Sequence, residues 1–230
     1  MLRLPLPVVP AAVLVPLLTS PAGLRRWWDP GAGFVGARLA PGIDGEAMAV
    51  RGDSGGAVVW EGDALRVRFD LVARAVTVEA EGVDAAAEPD LVAGWALALA
   101  ALGWAAERDG DVRWLRVDAP VALAYTDAWS RLTGPGGLAS GAVGAAIPVR
   151  IGAATYEARV VLADAPRAVA LVLPGLEDAL VRLQIGPGES VNTARLELLH
   201  RGAGPMPTDW EAWLSRRLGM TWVAQLGPEG

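Results

Sequence analysis

The chain has 230 residues, a formal net charge of −6 at pH 7 and 53% hydrophobic residues. This composition is typical of a folded globular protein, and the length suits one large domain or two small ones. The basic residues are scattered, so nothing in the charge pattern favours binding to nucleic acid or to anionic lipid. We therefore expect no nucleic-acid partner.

Three residue types are absent or rare, and each excludes a kind of chemistry. The chain has no cysteine and a single histidine, His200. A structural zinc site of the usual Cys and His ligands is thereby excluded. Every basic residue is arginine, so Schiff-base chemistry and a P-loop lysine are excluded too. We expect neither a metal nor a cofactor.

The first 22 residues are apolar, with an early Arg3 and a small-residue end, a pattern that secretory signals share. Four prolines interrupt this run, and cleavage after Ala22 would delete a segment that the second half of the chain repeats. We therefore predict a cytoplasmic protein, with secretion as the alternative.

A second apolar run, residues 91–106, carries no charge. It is shorter than the roughly 20 residues that a bilayer span needs. Pro89 and Asp90 precede it as at a helix start, and large apolar residues recur on one stripe. We predict a long amphipathic helix over 89–107 that lies across a sheet, and no membrane span.

The sequence repeats itself. LTSPAGL at 18–24 returns as LTGPGGL at 132–138, GDAL at 62–65 returns as EDAL at 177–180, and Trp95 corresponds to Trp213, all at offsets of about 114 to 118 residues. Similar segments in the same order at nearly constant spacing indicate a duplication. The repeat predicts two domains, 1–113 and 114–230.

Each half has the same predicted order of elements. A strand is followed by a helix, a short helical turn, several antiparallel strands and a long C-terminal helix, which together make an α+β unit. The predicted ranges in the two halves are 3–8 and 114–119 for the strand, 10–18 and 121–133 for the helix, 20–28 and 135–140 for the turn, and 89–107 and 207–218 for the final helix.

Alternation of apolar and polar residues predicts the sheets. In LRVRFD at 65–70 and AVTVEAEG at 75–82, every second residue is apolar. This pairing places Arg66 opposite Glu79 on a polar face, and the second half pairs Arg182 with Glu197 in the same way. We interpret both pairs as parts of a solvated sheet face.

The phrase LTSPAGLRRWW at 18–28 and the helices AGWALALAAL and TDWEAWLSRRL resemble the START-like or SRPBCC superfamily, the helix-grip fold. Within it, the chain is most similar to homologues of the activator of the ninety-kilodalton heat-shock protein ATPase. The second copy keeps LTGPGGL and lacks the paired tryptophans. Each half is also shorter than a usual member of the superfamily.

The resemblance implies two tandem helix-grip units, each with a hollow between a curved antiparallel sheet and the final helix. The superfamily uses this hollow to hold apolar small molecules. We expect the first half to face the ligand. The candidate lining residues, any of which could instead be simple core, are Trp27, Trp28, Phe69, Val78, Trp95 and Leu99 in the first half and Trp129, Leu138, Leu183, Trp210 and Trp213 in the second.

Three short motifs suggest chemistry that their surroundings do not favour. GDSGG at 52–56 resembles the turn around the nucleophile of serine proteases. RGD at 51–53 resembles an adhesion tripeptide. A hairpin turn explains both motifs. GAGFVG at 31–36 matches a dinucleotide fingerprint, which needs a strand before it and a helix after it. The sequence here predicts a strand after it.

His200 is the one side chain whose ordinary pKa lies near neutrality, so a general base would be sought there first. We expect an exposed histidine at a strand end. The function predicted is non-catalytic binding of an apolar small molecule, or an interaction module with the same fold. The alternatives are a polyketide cyclase or aromatase and a co-chaperone.

Overall fold

The computed structural model describes residues 1–35, 38–40, 48–52, 55–82, 87–134, 141–151, 154–187 and 192–201. The chain divides into two units, Met1–Val112 and Arg113–Gly230. This division lies next to the boundary predicted from the repeat, and Arg113 belongs to the first strand of the second unit. That each unit is a separate domain stays a prediction.

In the described residues of unit 1, a five-stranded antiparallel sheet is accompanied by a separate strand pair and three helices. In the sheet the strand order is β1-β7-β6-β5-β4, so the first strand lies beside the last. The elements are β1 (Leu2–Pro5), α1 (Ala11–Thr19), α2 (Pro21–Leu24), β2 (Gly33–Val35), β3 (Arg38–Ala40), β4 (Ala49–Gly52), β5 (Ala57–Glu61), β6 (Leu65–Asp70), β7 (Ala75–Ala80) and α3 (Glu88–Ala106).

Unit 2 follows the same plan. Its sheet has the order β8-β13-β12-β11-β10-β9, again with the first strand beside the last. The elements are β8 (Arg113–Val121), α4 (Tyr125–Thr133), β9 (Ala146–Ile151), β10 (Ala154–Asp164), β11 (Ala168–Leu173), a 3-10 turn (Pro174–Leu176), β12 (Ala179–Gly186) and β13 (Asn192–His200).

The matching strand orders confirm the predicted fold class, two tandem α+β units. The two units also share a hydrogen bond at the end of their first helix. The Thr19 hydroxyl donates to the Val15 carbonyl and the Thr133 hydroxyl donates to the Trp129 carbonyl, each at 2.8 Å. The helical turn predicted at 135–140 and the helix predicted at 207–218 lie outside the described residues.

Helix α3 is the long apolar helix that the sequence predicts, and it begins and ends within a residue of the predicted range. By length and composition alone it could cross a membrane, but half of its apolar window is buried inside the protein. Its buried residues include Trp95, Leu99 and Leu102. This burial is the pattern of a core helix.

Helices α1 and α2 meet so closely that only glycine fits between them. A Cβ atom at Gly23 would lie 2.6 Å from the Cα of Leu17 and still closer to the carbonyl oxygen of Pro16. The Ser20 hydroxyl accepts a hydrogen bond from the Gly23 N–H at 3.0 Å and so caps α2. Gly23 of LTSPAGL is therefore required by packing, and Ser20 caps the helix.

The charged strand pairs have the predicted register, but their surroundings differ between the units. Arg66 lies opposite Glu79, with 3.8 Å between Nη1 and Oε2 and about half of each side chain exposed. Arg182 lies opposite Glu197, and these side chains are only 6% and 7% exposed. The prediction that both pairs are solvated is wrong for unit 2.

The Glu197 carboxylate is shared by two arginines. Arg182 forms an ion pair with one of its oxygens, and Arg116 donates to the other from Nε at 2.8 Å. The Arg182 guanidinium also lies 5.2 Å from the ring centre of Trp114. Burial by itself would raise the pKa of Glu197, but the charges of Arg182, Arg116 and Arg195 outweigh it and hold the pKa below its usual range.

We predict that Gly23→Ala lowers the free energy of unfolding by about 1–3 kcal/mol, because the new methyl group overlaps backbone atoms that cannot move independently. Gly33→Ala is the matched control, since a Cβ there meets its nearest atom at 3.9 Å. Urea denaturation measures both. Equal stability of the two variants would show that the α1–α2 approach is looser than described.

We predict that Glu197→Gln costs about 3–5 kcal/mol at neutral pH, because it leaves Arg182 buried without its carboxylate. Glu79→Gln, at the exposed pair of unit 1, should cost no more than about 1 kcal/mol.

Because the pKa of Glu197 is lowered in the folded state, the stabilisation that its carboxylate provides is full above the unfolded pKa of about 4.3 and is lost as pH falls through the folded pKa. Denaturation from pH 7 to pH 3 should show the wild type and Glu197→Gln converging; a constant difference would contradict this assignment.

Candidate functional site

Five aromatic side chains of unit 1 form one cluster, which we call the aromatic cluster: Trp27, Trp28, Trp60, Phe69 and Trp95. Trp28 lies edge-on to both Trp27 and Trp60, with ring centres 5.3 and 5.6 Å apart, and 5.1 Å from the ring of Trp95. Phe69 lies 4.7 Å from Trp60. The cluster joins the segment after α2, strands β5 and β6, and helix α3.

Two indole N–H groups of the cluster bond to the end of helix α1. Trp27 Nε1 donates to the Leu17 carbonyl at 2.9 Å, and Trp60 Nε1 donates to the Leu18 carbonyl at 2.8 Å. The last carbonyls of a helix have no partner within the helix, so a buried helix end needs donors from elsewhere. The two tryptophans therefore supply both packing and capping.

The two arginines before the tryptophan pair also donate to backbone carbonyls. Arg25 Nε donates to the Ala32 carbonyl at 2.8 Å. Arg26 Nη2 donates to the Ala105 carbonyl at 2.9 Å and to the Arg108 carbonyl, so its positive charge lies at the C-terminal end of α3. A cation there also interacts favourably with the helix dipole. The phrase LTSPAGLRRWW thus ties α1, α2, α3 and the sheet together.

Exposure separates one ring from the others. Trp27, Trp60 and Phe69 are fully buried and Trp95 is 5% exposed. Trp28 contacts three of the other rings and is only partly buried. Part of Trp28 is therefore accessible to solvent, whereas the other four rings form a packed interior.

The predicted lining residues of unit 1 are partly brought together. Trp27, Trp28, Phe69 and Trp95 belong to the aromatic cluster. Val78 is 1% exposed and lies on the same sheet face as Phe69, while Leu99 is 7% exposed on α3. Sequence reasoning missed Trp60, although its position in AVVW, paired with Val67 across β5 and β6, places it on the inner face.

Two of the five candidates in unit 2 are described, and both are core residues. Trp129 and Leu183 lie in the hydrophobic core of that unit, together with Leu132 and Val181. Leu138, Trp210 and Trp213 lie outside the described residues. That the first half faces the ligand stays a proposal.

His200 is buried, so the prediction of an exposed histidine is wrong. Its side chain is 3% exposed, with Nδ1 3.2 Å from Nη2 of Arg113 and Nε2 3.6 Å from Oε2 of Glu177. A guanidinium has no acceptor, so Nδ1 accepts and the neutral ring carries its proton on Nε2. A general base needs a free ring nitrogen, and this contact occupies the lone pair.

The remaining motifs have structural roles where they are described. Gly52 ends β4 and Ala57 begins β5, which are the antiparallel arms of the predicted hairpin, while residues 53 and 54 lie outside the described part. The GFV of GAGFVG forms strand β2 rather than the start of a helix. Among the described residues, no group of three or more histidine, aspartate or glutamate side chains could hold a metal ion.

Comparison with known proteins gave structural matches only. No family model and no curated protein matches the chain. The Aha1 dimer structure from Colwellia psychrerythraea matches at 16% identity and a TM-score of 0.34, over 46% of this chain and 88% of that one.

Two further matches span both halves of this chain. One is the di-domain ARO/CYC protein StfQ of the steffimycin biosynthetic pathway, which matches at 16% identity and a TM-score of 0.34 over 95% of this chain and 93% of that one. The other is the di-domain ARO/CYC protein BexL of the BE-7585A biosynthetic pathway, which matches at 13% identity and a TM-score of 0.36 over 95% of this chain and 94% of that one. At these TM-scores they support no statement about ligand or activity.

We predict that Trp27→Phe lowers the free energy of unfolding by about 1–3 kcal/mol beyond any packing loss, because it leaves the Leu17 carbonyl buried without its donor. Trp28→Phe is the control, since Trp28 makes neither of the two bonds to α1 and is partly exposed. Thermal and urea denaturation compare the two variants. A Trp28→Phe protein that is as destabilised as Trp27→Phe would contradict the capping role.

Proposed function

We propose that the protein is a non-catalytic binder of an apolar small molecule, and that the ligand contacts unit 1 at Trp28. The observation that carries this proposal is the partial exposure of Trp28 at the surface of an otherwise buried aromatic cluster. A partly exposed indole held rigidly by three neighbouring rings loses little conformational entropy when a flat molecule packs against it. A planar apolar compound is therefore the ligand class we expect.

The chemistry of the inner sheet face agrees with binding rather than turnover. Where β5, β6 and β7 pair, their side chains on this face are apolar and buried: Val58, Trp60, Val67, Phe69, Val76 and Val78. A cyclase or aromatase, the first alternative, needs polar groups placed against the reacting carbonyls of its substrate. The co-chaperone alternative rests on resemblance of fold, which does not establish function.

We predict that the full chain binds 1-aminoanthracene, a planar apolar dye whose fluorescence rises in apolar surroundings. Trp28→Ala should weaken dye binding at least about tenfold, which corresponds to about 1.4 kcal/mol. Trp28→Phe retains an aromatic face and should bind within a few-fold of the wild type. Fluorescence titration measures all three proteins.

Val15→Ala is the matched control, because Val15 is an apolar residue of α1 that is 39% exposed and lies outside the aromatic cluster. A thermal melt of each variant separates loss of binding from loss of folding. Wild-type affinity in a folded Trp28→Ala protein would contradict the proposed site. Failure of the wild type to bind any planar apolar compound would favour the interaction module.

A further inference from the structure

One end of the apolar sheet face of unit 2 carries a buried histidine. This face is the one that packs into the core of the unit through Val117, Val181 and Leu196. His200 is the last residue of β13 and lies opposite Arg113, the first residue of β8. Strand alternation places both on the same face as the core residues.

The contacts of His200 leave one donor directed at a carboxylate. Because Arg113 donates to Nδ1, the ring N–H is on Nε2, and that nitrogen lies 3.6 Å from Oε2 of Glu177. This separation is longer than a hydrogen bond. The histidine donor is therefore oriented towards a carboxylate that it does not hold tightly.

Glu177 is placed where another carboxylate could replace it. Its side chain is 60% exposed, whereas the His200 side chain is 3% exposed. Glu177 follows the 3-10 turn and adopts a left-handed backbone conformation with a φ of 49°. A solvent-exposed carboxylate on a turn gains little from this contact and is easily displaced.

Partly buried apolar side chains lie on both sides of this polar end of the sheet. Leu115 of β8, Tyr156 of β10 and Leu176 of the 3-10 turn are partly buried and pack against the core of unit 2. Tyr156 also approaches the 3-10 turn, since a Cβ atom at Gly175 would lie 3.8 Å from its ring. A buried donor thus lies at the edge of an apolar surface with accessible side chains.

We propose that this end of unit 2 is a second binding site, for a small molecule with an apolar body and a carboxylate. The carboxylate takes the place of the Glu177 side chain and accepts from His200 Nε2, next to the positive charge of Arg113. The apolar body lies on Tyr156 and Leu176, on the side of the 3-10 turn. This site goes beyond the function proposed for unit 1 and does not depend on Trp28.

Since the chain has one histidine, the imidazole NMR signals report on this site alone. The full chain is titrated with octanoate, and with 1-octanol and acetate as matched probes. We expect octanoate to shift the ring signals of His200 in a saturable manner at concentrations where neither other probe does. Equal shifts with 1-octanol would overturn the carboxylate preference, and equal shifts with acetate would overturn the role of the apolar side chains.

Glu177→Gln tests the displacement directly. Removal of the competing negative charge should tighten octanoate binding about fivefold, given the size of a single charge interaction near 4 Å in water. Asp178→Asn is the control, because it removes one negative charge from the neighbouring residue of the same turn, which is also exposed and has a positive φ. An absence of any octanoate response in the wild type, or equal effects of the two variants, would refute the site.

Discussion

The bonds from two indole N–H groups to the last carbonyls of α1 are the constraint on which unit 1 depends. A helix that ends inside a protein has carbonyls that water cannot reach, and each needs a donor. Trp27 and Trp60 supply these donors from two different parts of the chain, one after α2 and one in β5. Satisfying the helix end therefore also fixes the positions of the sheet and of the aromatic rings between them.

The same constraint explains why the aromatic cluster is both core and candidate site. Once Trp27 and Trp60 are fixed by hydrogen bonds, Trp28 follows Trp27 in the chain and is held edge-on to both rings. Its exposed part is then a rigid surface rather than a mobile side chain. Binding of a flat ligand there needs little reordering of the protein, which is the physical basis of the proposed function.

Much of the fold could be predicted from the sequence, because local patterns determine it. Alternation in β6 and β7 predicted the pairing of Arg66 with Glu79, and alternation in β12 and β13 predicted the pairing of Arg182 with Glu197. Alternation does not predict whether each pair is buried or exposed. Burial of Arg182 and exposure of Arg66 depend on packing across the sheet, which a strand pattern does not encode.

The candidate sites show the same division between local and distant information. The paired tryptophans indicated the aromatic cluster, but Trp60 was missed because its contact with Leu18 spans 42 residues. The surroundings of His200 were predicted wrongly for the same reason, since Arg113 is 87 residues away along the chain. For His200, the sheet order of unit 2, with the first strand beside the last, brings the two residues together.

Native mass spectrometry of the freshly purified full chain, compared with the mass of the denatured chain, tests the central claim most directly. Binding of an apolar small molecule predicts an additional noncovalent mass, or uptake of one from a library of planar apolar compounds. The bound compound should also quench tryptophan fluorescence. A bare mass with no uptake from the library would contradict the account, and would identify the aromatic cluster as packing alone.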